Sequence, residues 1–163
     1  YVAAIKAAQL GMKVALFEED KLGGVCLNWG CIPTKSLLHS AEFMEEANHF
    51  GLDKKDLTKI ALDKVVKMSR TASDNLSKGV NSLMKKNKID IYKHRAYPKK
   101  IDNEFFVNTT SDEISSKNMI IATGCKPRTI GDIKFSNLIW SSKEAMIPKF
   151  LPKKLCIIGS DNT

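Results

Sequence analysis

Residues 1–18 limit the fold of this chain more than any other stretch. In YVAAIKAAQLGMKVALFE, Val2, Ile5 and Ala8, with Leu10 at the end, recur at helical spacing and predict a helix over 1–10 that Gly11 ends. No cap or turn precedes it. Residues 13–18 (KVALFE) then read as a short, mostly apolar strand of the kind buried in a parallel sheet. Helix, glycine, strand and then an acid make up the second half of a βαβ unit, so an α/β fold with a parallel sheet is expected.

Just beyond that acid lies the densest cluster of chemistry-bearing residues, GGVCLNWGCIPTK over 23–35. Cys26 and Cys31 stand five positions apart. On a regular helix five residues rotate the side chain by about 500° and rise about 7.5 Å. A disulfide needs Cα atoms about 4.4–6.8 Å apart. If the two bond, the backbone must wind irregularly there, and Gly30 supplies the freedom. From Pro33 a regular helix can begin or resume. Cys31 then lies near a helix N-terminus that favours a thiolate, with Lys35 adding positive charge one turn later. The residues alone leave three readings open: a two-electron redox pair, two small core hydrophobes, or half of a zinc site. Zinc is the weakest, because Cys125 and Cys156 stand singly rather than in short pairs.

GGVCLNWGCIPTK resembles the redox-disulfide motif of the flavin-dependent pyridine nucleotide-disulfide oxidoreductases. Leu27, Ile32 and Thr34-Lys35 followed by Ser36-Leu37-Leu38 favour the dihydrolipoyl dehydrogenase branch over the glutathione and mercuric reductases. A second likeness is NMIIATG (118–124), which resembles the apolar strand ending in Ala-Thr-Gly, here Ala122-Thr123-Gly124, that in this family passes close to the bound cofactor. The similarity extends from the first helix to Gly159.

The resemblance implies a Rossmann-like FAD/NAD(P)-binding α/β fold with a helical excursion and a small antiparallel β meander, truncated at both ends. Residues 1–150 would be an FAD-binding domain lacking its first strand and G-x-G-x-x-G turn, and 151–163 the start of an NAD-binding domain. It implies Cys26 and Cys31 as the catalytic disulfide, with Cys26 the outward sulfur attacked by substrate. It also implies FAD contacts from Glu18, Gly24, Val25, Lys35, Ala96, Ala122, Thr123 and Gly124. Glu18 would take the adenosine ribose hydroxyls, a task suited to a carboxylate that accepts two hydrogen bonds; Glu19 and Asp20 are near alternatives. Lys35 would stabilise negative charge on the flavin.

The implied activity is oxidation of dihydrolipoamide with NAD as acceptor. The implied partners are the lipoyl domain of a 2-oxoacid dehydrogenase complex and, in the intact family, a second copy. The family's general base, a histidine paired with a glutamate, maps to no residue here. The stretch is therefore expected to be inactive alone, and the alternatives are a non-catalytic remnant or a relative of the glutathione and mercuric reductases. His39 reads as a surface or satisfied core histidine.

The remaining chain reads as a helix over 34–49 and a long helical pattern from about 57 to 86, with an apolar stripe at Val65, Ala72, Leu76, Val80 and Leu83 and a weak point at Gly79. A strand is expected over 88–92, then short strands at 96–99, 104–108 and 113–116 with a turn at 101–103. Residues 138–140 look strand-like, Ser141 or Ser142 caps a turn of helix, and 154–159 (KLCIIG) reads as a further strand. There the glycine pattern fails, since Asp161 stands where a second glycine would let pyrophosphate approach. Cys125 reads as structural.

The formal net charge of +8 comes from 26 basic and 18 acidic residues, and raises the question of an anionic partner. Lysines scattered singly and in pairs, with no aromatic interleaving, read instead as a solvated surface rather than a nucleic-acid site. No apolar run approaches the length of a membrane span and no signal peptide opens the chain, so a soluble cytoplasmic protein, or one of the mitochondrial matrix in a eukaryote, is expected.

Overall fold

The computed structural model describes residues 1–53, 61–108 and 113–159. Helix α1 (Val2–Gln9) leads through Gly11 to strand β1 (Ala15–Phe17). Two helices follow almost without a break, α2 (Gly24–Trp29) and α3 (Cys31–His49), and then the long α4 (Leu62–Lys86). Strand β2 (Asp90–Tyr92) returns parallel to β1, pairing Ala15 with Asp90, Leu16 with Ile91 and Phe17 with Tyr92. Strands β3 (Tyr97–Ile101), β4 (Glu104–Asn108) and β5 (Glu113–Ser116) form an antiparallel meander, and α5 (Ser142–Ala145) is a single turn. The α/β class, the parallel pair and the meander are as the sequence implies.

The core sits where α4 crosses the parallel pair. Val80, Met84 and Ile89 are buried there, with Ala4, Ile5, Ala8, Val14, Leu16, Leu22, Leu27 and Ile91 packed around them. The first stripe therefore needs correction: Val2 and Leu10 are exposed, and Ala4 joins Ile5 and Ala8 in facing α4. The α4 stripe holds at Val80, with Val65 and Ala72 half-buried, and fails at two positions. Leu76 and Leu83 are exposed, whereas Ser69, Ser73, Val80 and Met84 are buried. Serine fits this face because its hydroxyl bonds back along its own helix, Ser69 to the carbonyl of Val66 and Ser73 to that of Ser69, leaving a smooth buried surface. The expected start of this pattern at 57–60 lies outside the described residues, and α4 runs through Gly79 uninterrupted.

Three expected strands are not formed. Residues 118–124, 138–140 and 154–159 are extended or bent chain with no ladder, and Ile120, Ile121, Leu138, Leu155, Ile157 and Ile158 are exposed. An apolar run becomes a strand only when another strand accepts its hydrogen bonds. Among the described residues β1 and β2 pair only with each other. The broken glycine pattern at 160–163 lies outside the described residues. The cap at Ser141 is present as a full capping box, in which Ser141 and Glu144 satisfy one another's backbone N–H groups.

Candidate active site at the α2–α3 junction

The chain leaves β1 at Glu18, turns through 19–23 and enters α2, so the end of the parallel strand feeds directly into the cysteine segment. Leu27 anchors α2 to the core, and Asn28, one residue on, is buried. Its amide Nδ2 donates to the carbonyls of Leu22 (3.1 Å) and Gly24 (3.0 Å), closing the turn on itself. Cys26 lies in the middle of α2. Helix α2 ends at Trp29, Gly30 breaks the winding, and α3 starts afresh at Cys31. The second helix thus begins at Cys31 rather than from Pro33, and Pro33 sits buried in its first turn.

This break is the irregular winding that five-residue spacing demands. It requires glycine by close approach: a Cβ on Gly30 would stand 3.0 Å from the carbonyl oxygen of Val25 and 3.1 Å from the Cα of Cys26, both backbone atoms. The chain folds back on itself here with no room for a side chain.

The fold-back brings the two sulfurs together as free thiols, both exposed, so exposure does not rank one as the outward member. The Cys26 thiol is pushed above its ordinary range, first by its hydrogen bond with the Cys31 side chain, then by burial and by the charge of Cys31. The backbone N–H of Cys31 and the charge of Lys35 pull the other way. The backbone N–H at the start of the 19-residue α3 and the charge of Lys35 thus both favour the Cys26 thiolate. A pair in which one sulfur holds its proton through a bond to the other is poised to share one negative charge between two thiols.

A second group of residues surrounds this junction, and the sequence reading missed it. From α4, Arg70 Nη1 donates to the carbonyl of Asn28 at 2.7 Å, with the guanidinium 4.7 Å from the centre of the Trp29 ring. From α5, Lys143 Nζ lies 4.2 Å from the same ring. Farther along α4, Asp74 pairs with Lys21 at 2.9 Å and the Ser77 hydroxyl donates to the carbonyl of Leu22 at 2.8 Å. Arg70, Asp74 and Ser77 follow helical spacing, so one face of α4 grips the segment from Lys21 to Asn28. Polar residues at helical spacing were the available signal, and an apolar-stripe reading passes over it.

The other expected site residues fall in three places. Gly24, Val25 and Lys35 share α2 and α3 with the cysteines and are exposed. Gly24 has φ 71 with open space where a Cβ would stand. Glu18 is half-buried at the carboxyl end of β1, with Oε1 accepting from the Asp20 N–H at 2.9 Å. Ala96 is half-buried immediately before β3. Ala122, Thr123 and Gly124 lie exposed in the extended stretch, outside the strand that was expected to carry them. Cys125 is exposed rather than structural, His39 is exposed, and no cluster of metal-ligating residues occurs among the described residues.

The exposed sulfurs, the open space at Gly24, the positive charge of Lys35 and the second Glu18 oxygen are of the chemical types that would hold an anionic dinucleotide. Residues 122–124 are not placed against them. An open cleft of about 610 Å³ lies elsewhere, lined by Leu62, Asp63, Val66, Lys67, Pro148 and Lys149, and includes neither cysteine. No helix among the described residues is long and apolar enough to cross a membrane.

Comparison with known proteins matches residues 1–163 to the family described as pyridine nucleotide-disulphide oxidoreductase. A dihydrolipoyl dehydrogenase of Rhizobium etli is 44% identical, covering 98% of this chain and 37% of the relative, and one of Zymomonas mobilis is 43% identical, covering 98% and 35%. Among solved structures, LpdA of Mycobacterium tuberculosis superposes with a TM-score of 0.76 at 16% identity over 93% of this chain and 34% of its own. The HOCl-induced flavoprotein disulfide reductase RclA of Escherichia coli superposes at 0.69 with 23% identity, covering 93% of this chain and 32% of its own. The chain thus spans about a third of the length of these relatives.

Proposed function

From the chain's membership of the pyridine nucleotide-disulphide oxidoreductase family, a family of flavin-dependent disulfide oxidoreductases, we propose that it carries the redox disulfide and much of the FAD site of a dihydrolipoyl dehydrogenase. The observation that supports this most is the meeting of Cys26 and Cys31 across the Gly30 break, both exposed at the start of α3.

In the proposed reaction a thiolate of dihydrolipoamide attacks Cys26 of the closed pair. The Cys26–Cys31 bond breaks and Cys31 leaves as a thiolate at the N-terminus of α3, where the helix field and Lys35 favour the charge. The second substrate thiol, deprotonated by a base outside this stretch, attacks the substrate sulfur now bonded to Cys26. Cyclic lipoamide leaves, and the pair has gained two electrons. FAD, when bound, supplies the acceptor that returns the pair to the disulfide and passes the electrons to NAD.

In this reading Gly24, Val25 and Lys35 flank the ring system and Glu18 takes the ribose, while Ala96 and Ala122–Gly124 would have to move against these residues to line the remainder. The substrate arrives on the lipoyl domain of a 2-oxoacid dehydrogenase complex, and a second copy of the chain completes the intact enzyme. These 163 residues hold no G-x-G-x-x-G turn. Taken alone they are not expected to turn over dihydrolipoamide.

The test is direct. The purified chain is oxidised with glutathione disulfide, and the Cys26–Cys31 pair is mapped by mass spectrometry while flavin uptake is followed by visible absorbance. Closure of that pair is the expected result. A chain that forms no such disulfide and takes up no flavin is a non-catalytic remnant.

A further inference from the structure

We propose that Arg70 is a positioning residue for the redox pair, holding open the helix break that lets Cys26 and Cys31 close. The inference rests on the redox reading above but concerns a residue in a different helix, 42 positions beyond Asn28 in sequence.

In an uninterrupted helix the carbonyl of Asn28 would accept from the N–H four residues on, that of Ile32. The break at Gly30 forfeits that bond. The first bond that enters α3 from outside it runs from the Thr34 N–H to the Gly30 carbonyl at 3.1 Å. The geometry that brings the sulfurs together therefore orphans a carbonyl in a largely buried place, and an orphaned carbonyl there favours rewinding of the helix.

Arg70 removes that cost, since its 2.7 Å bond to the Asn28 oxygen is charge-assisted and among the shortest the junction makes. The guanidinium is fixed in turn over the Trp29 ring. Arg70 holds this position under strain of solvation. Burial is the largest influence on its charge and disfavours it, and Nε and Nη2 are buried without partners among the described residues. A side chain seated at such a cost for one strong bond is placed for that bond, and the bond's other end is the redox segment.

Closure of the pair is the reaction of the Cys26 and Cys31 thiols with one glutathione disulfide. The two thiols lose two protons and two electrons to form one S–S bond, and two glutathione thiols are produced. The equilibrium is read in glutathione buffers by acid quenching and alkylation of the full chain.

Arg70→Met keeps the aliphatic stem but has neither charge nor donor. It is expected to lower the closure constant about tenfold, equivalent to about 30 mV in potential, with the helical circular dichroism of the unaltered chain. Arg70→Lys, which can still donate to the Asn28 carbonyl, is expected to recover most of that loss. Thr71→Ala, on the exposed side of α4, is expected to change nothing. A merely structural role would alter the unfolding midpoint without moving the closure constant under native conditions.

An unchanged constant in Arg70→Met overturns the inference and leaves the redox reading standing. Failure of Arg70→Lys to exceed Arg70→Met also overturns it. A native chain that never closes the pair overturns both readings. If Arg70→Met loses its helical signal, the Arg70→Lys comparison with the native chain decides: a constant within about threefold supports positioning by the donated bond, and a larger loss overturns it.

Discussion

Residues 15–17 and 118–124 look alike on paper and differ in space. Both belong to short apolar runs bounded by glycine or charge. The first becomes β1 because Asp90–Tyr92 lies beside it, giving Leu16 a core and Phe17 a stacked partner in Tyr92 at 4.9 Å. The second finds no ladder and leaves Ile120 and Ile121 exposed. The same contrast divides the cysteines. Cys26 and Cys31 sit where three helices and a turn interlock, whereas Cys125 and Cys156 sit in extended chain. Apolar composition is a local property, but a strand or a reactive site is set by what stands opposite.

The largest expected effect tests the cysteine half of that contrast. In the full-length flavin-loaded protein Cys26→Ser should lower dithiol oxidation roughly a hundredfold or more, while flavin absorbance is retained. Cys125→Ser should leave the rate unaltered. Substantial turnover by Cys26→Ser would remove the organised corner's claim to the chemistry.

A smaller but still large difference is expected between two glycines. Gly30→Ala forces a methyl against the Val25 carbonyl and the Cys26 Cα. The expected cost is about 3 kcal/mol, the upper end of overpacking losses, with impaired closure of the pair. Gly124→Ala meets open space and pays only for its φ of 72, about 1 kcal/mol. Denaturant unfolding of both variants measures the gap, and equal costs would mean that the fold-back at Gly30 is not under constraint.

How much of this was legible in the sequence follows from the same physics. The spacing of Cys26 and Cys31 together with Gly30 demanded an irregular path, and the path is there. Ser141 was one of two serines expected to cap the turn and is the one that does, and β4 and β5 were readable because alternation and turn residues are local signals. The helix α2 was not anticipated, since six residues with a glycine at the start carry no periodicity. The inner face of α4 was anticipated only in part, at Val80, with Val65 and Ala72 half-buried. Leu76 and Leu83 outrank serine on any hydrophobic scale, yet Ser69 and Ser73 are the buried residues, because self-bonded hydroxyls permit closer helix contact than leucines do. Arg70 was invisible for a related reason. A charged residue on a polar-looking stripe reads as solvated until the carbonyl it serves is seen.

The next effect is a shift within the pair itself. Bonding to the Cys31 side chain is the largest reason that the Cys26 thiol holds its proton, so Cys31→Ala should lower the pH at which the Cys26 thiolate appears. Ultraviolet thiolate absorbance checks this in a background of Cys125→Ser and Cys156→Ser. The sign for stability follows. A thiol whose affinity for its proton is raised by folding stabilises the native state at pH below the ordinary thiol range, and that contribution is lost as pH rises through the raised value. Cys31→Ala should therefore flatten the alkaline fall in stability. An unchanged titration would show that the two sulfurs do not interact in solution.

The smallest expected effect lies at the edge of the organised corner, where Lys21 meets Asp74. The Asp74 carboxyl is held below the usual carboxylate range chiefly by its bond from Lys21, with the charges of Lys21, Arg70 and Lys78 adding to this and burial opposing it. A carboxylate whose proton affinity is lowered by folding adds stability above its unfolded value, near pH 4, and loses it as pH falls through the folded value. Because the two side chains are 45% and 48% exposed, water and salt screen the pair, and Asp74→Asn should cost less than about 1 kcal/mol at neutral pH. The cost should shrink in high salt and vanish in acid. Thermal unfolding of both proteins across that range measures it. A larger, salt-independent loss would mean that Asp74 is a packed strut of the corner, whereas the expected small one leaves the turn held mainly by Ser77 on the Leu22 carbonyl and Arg70 on that of Asn28.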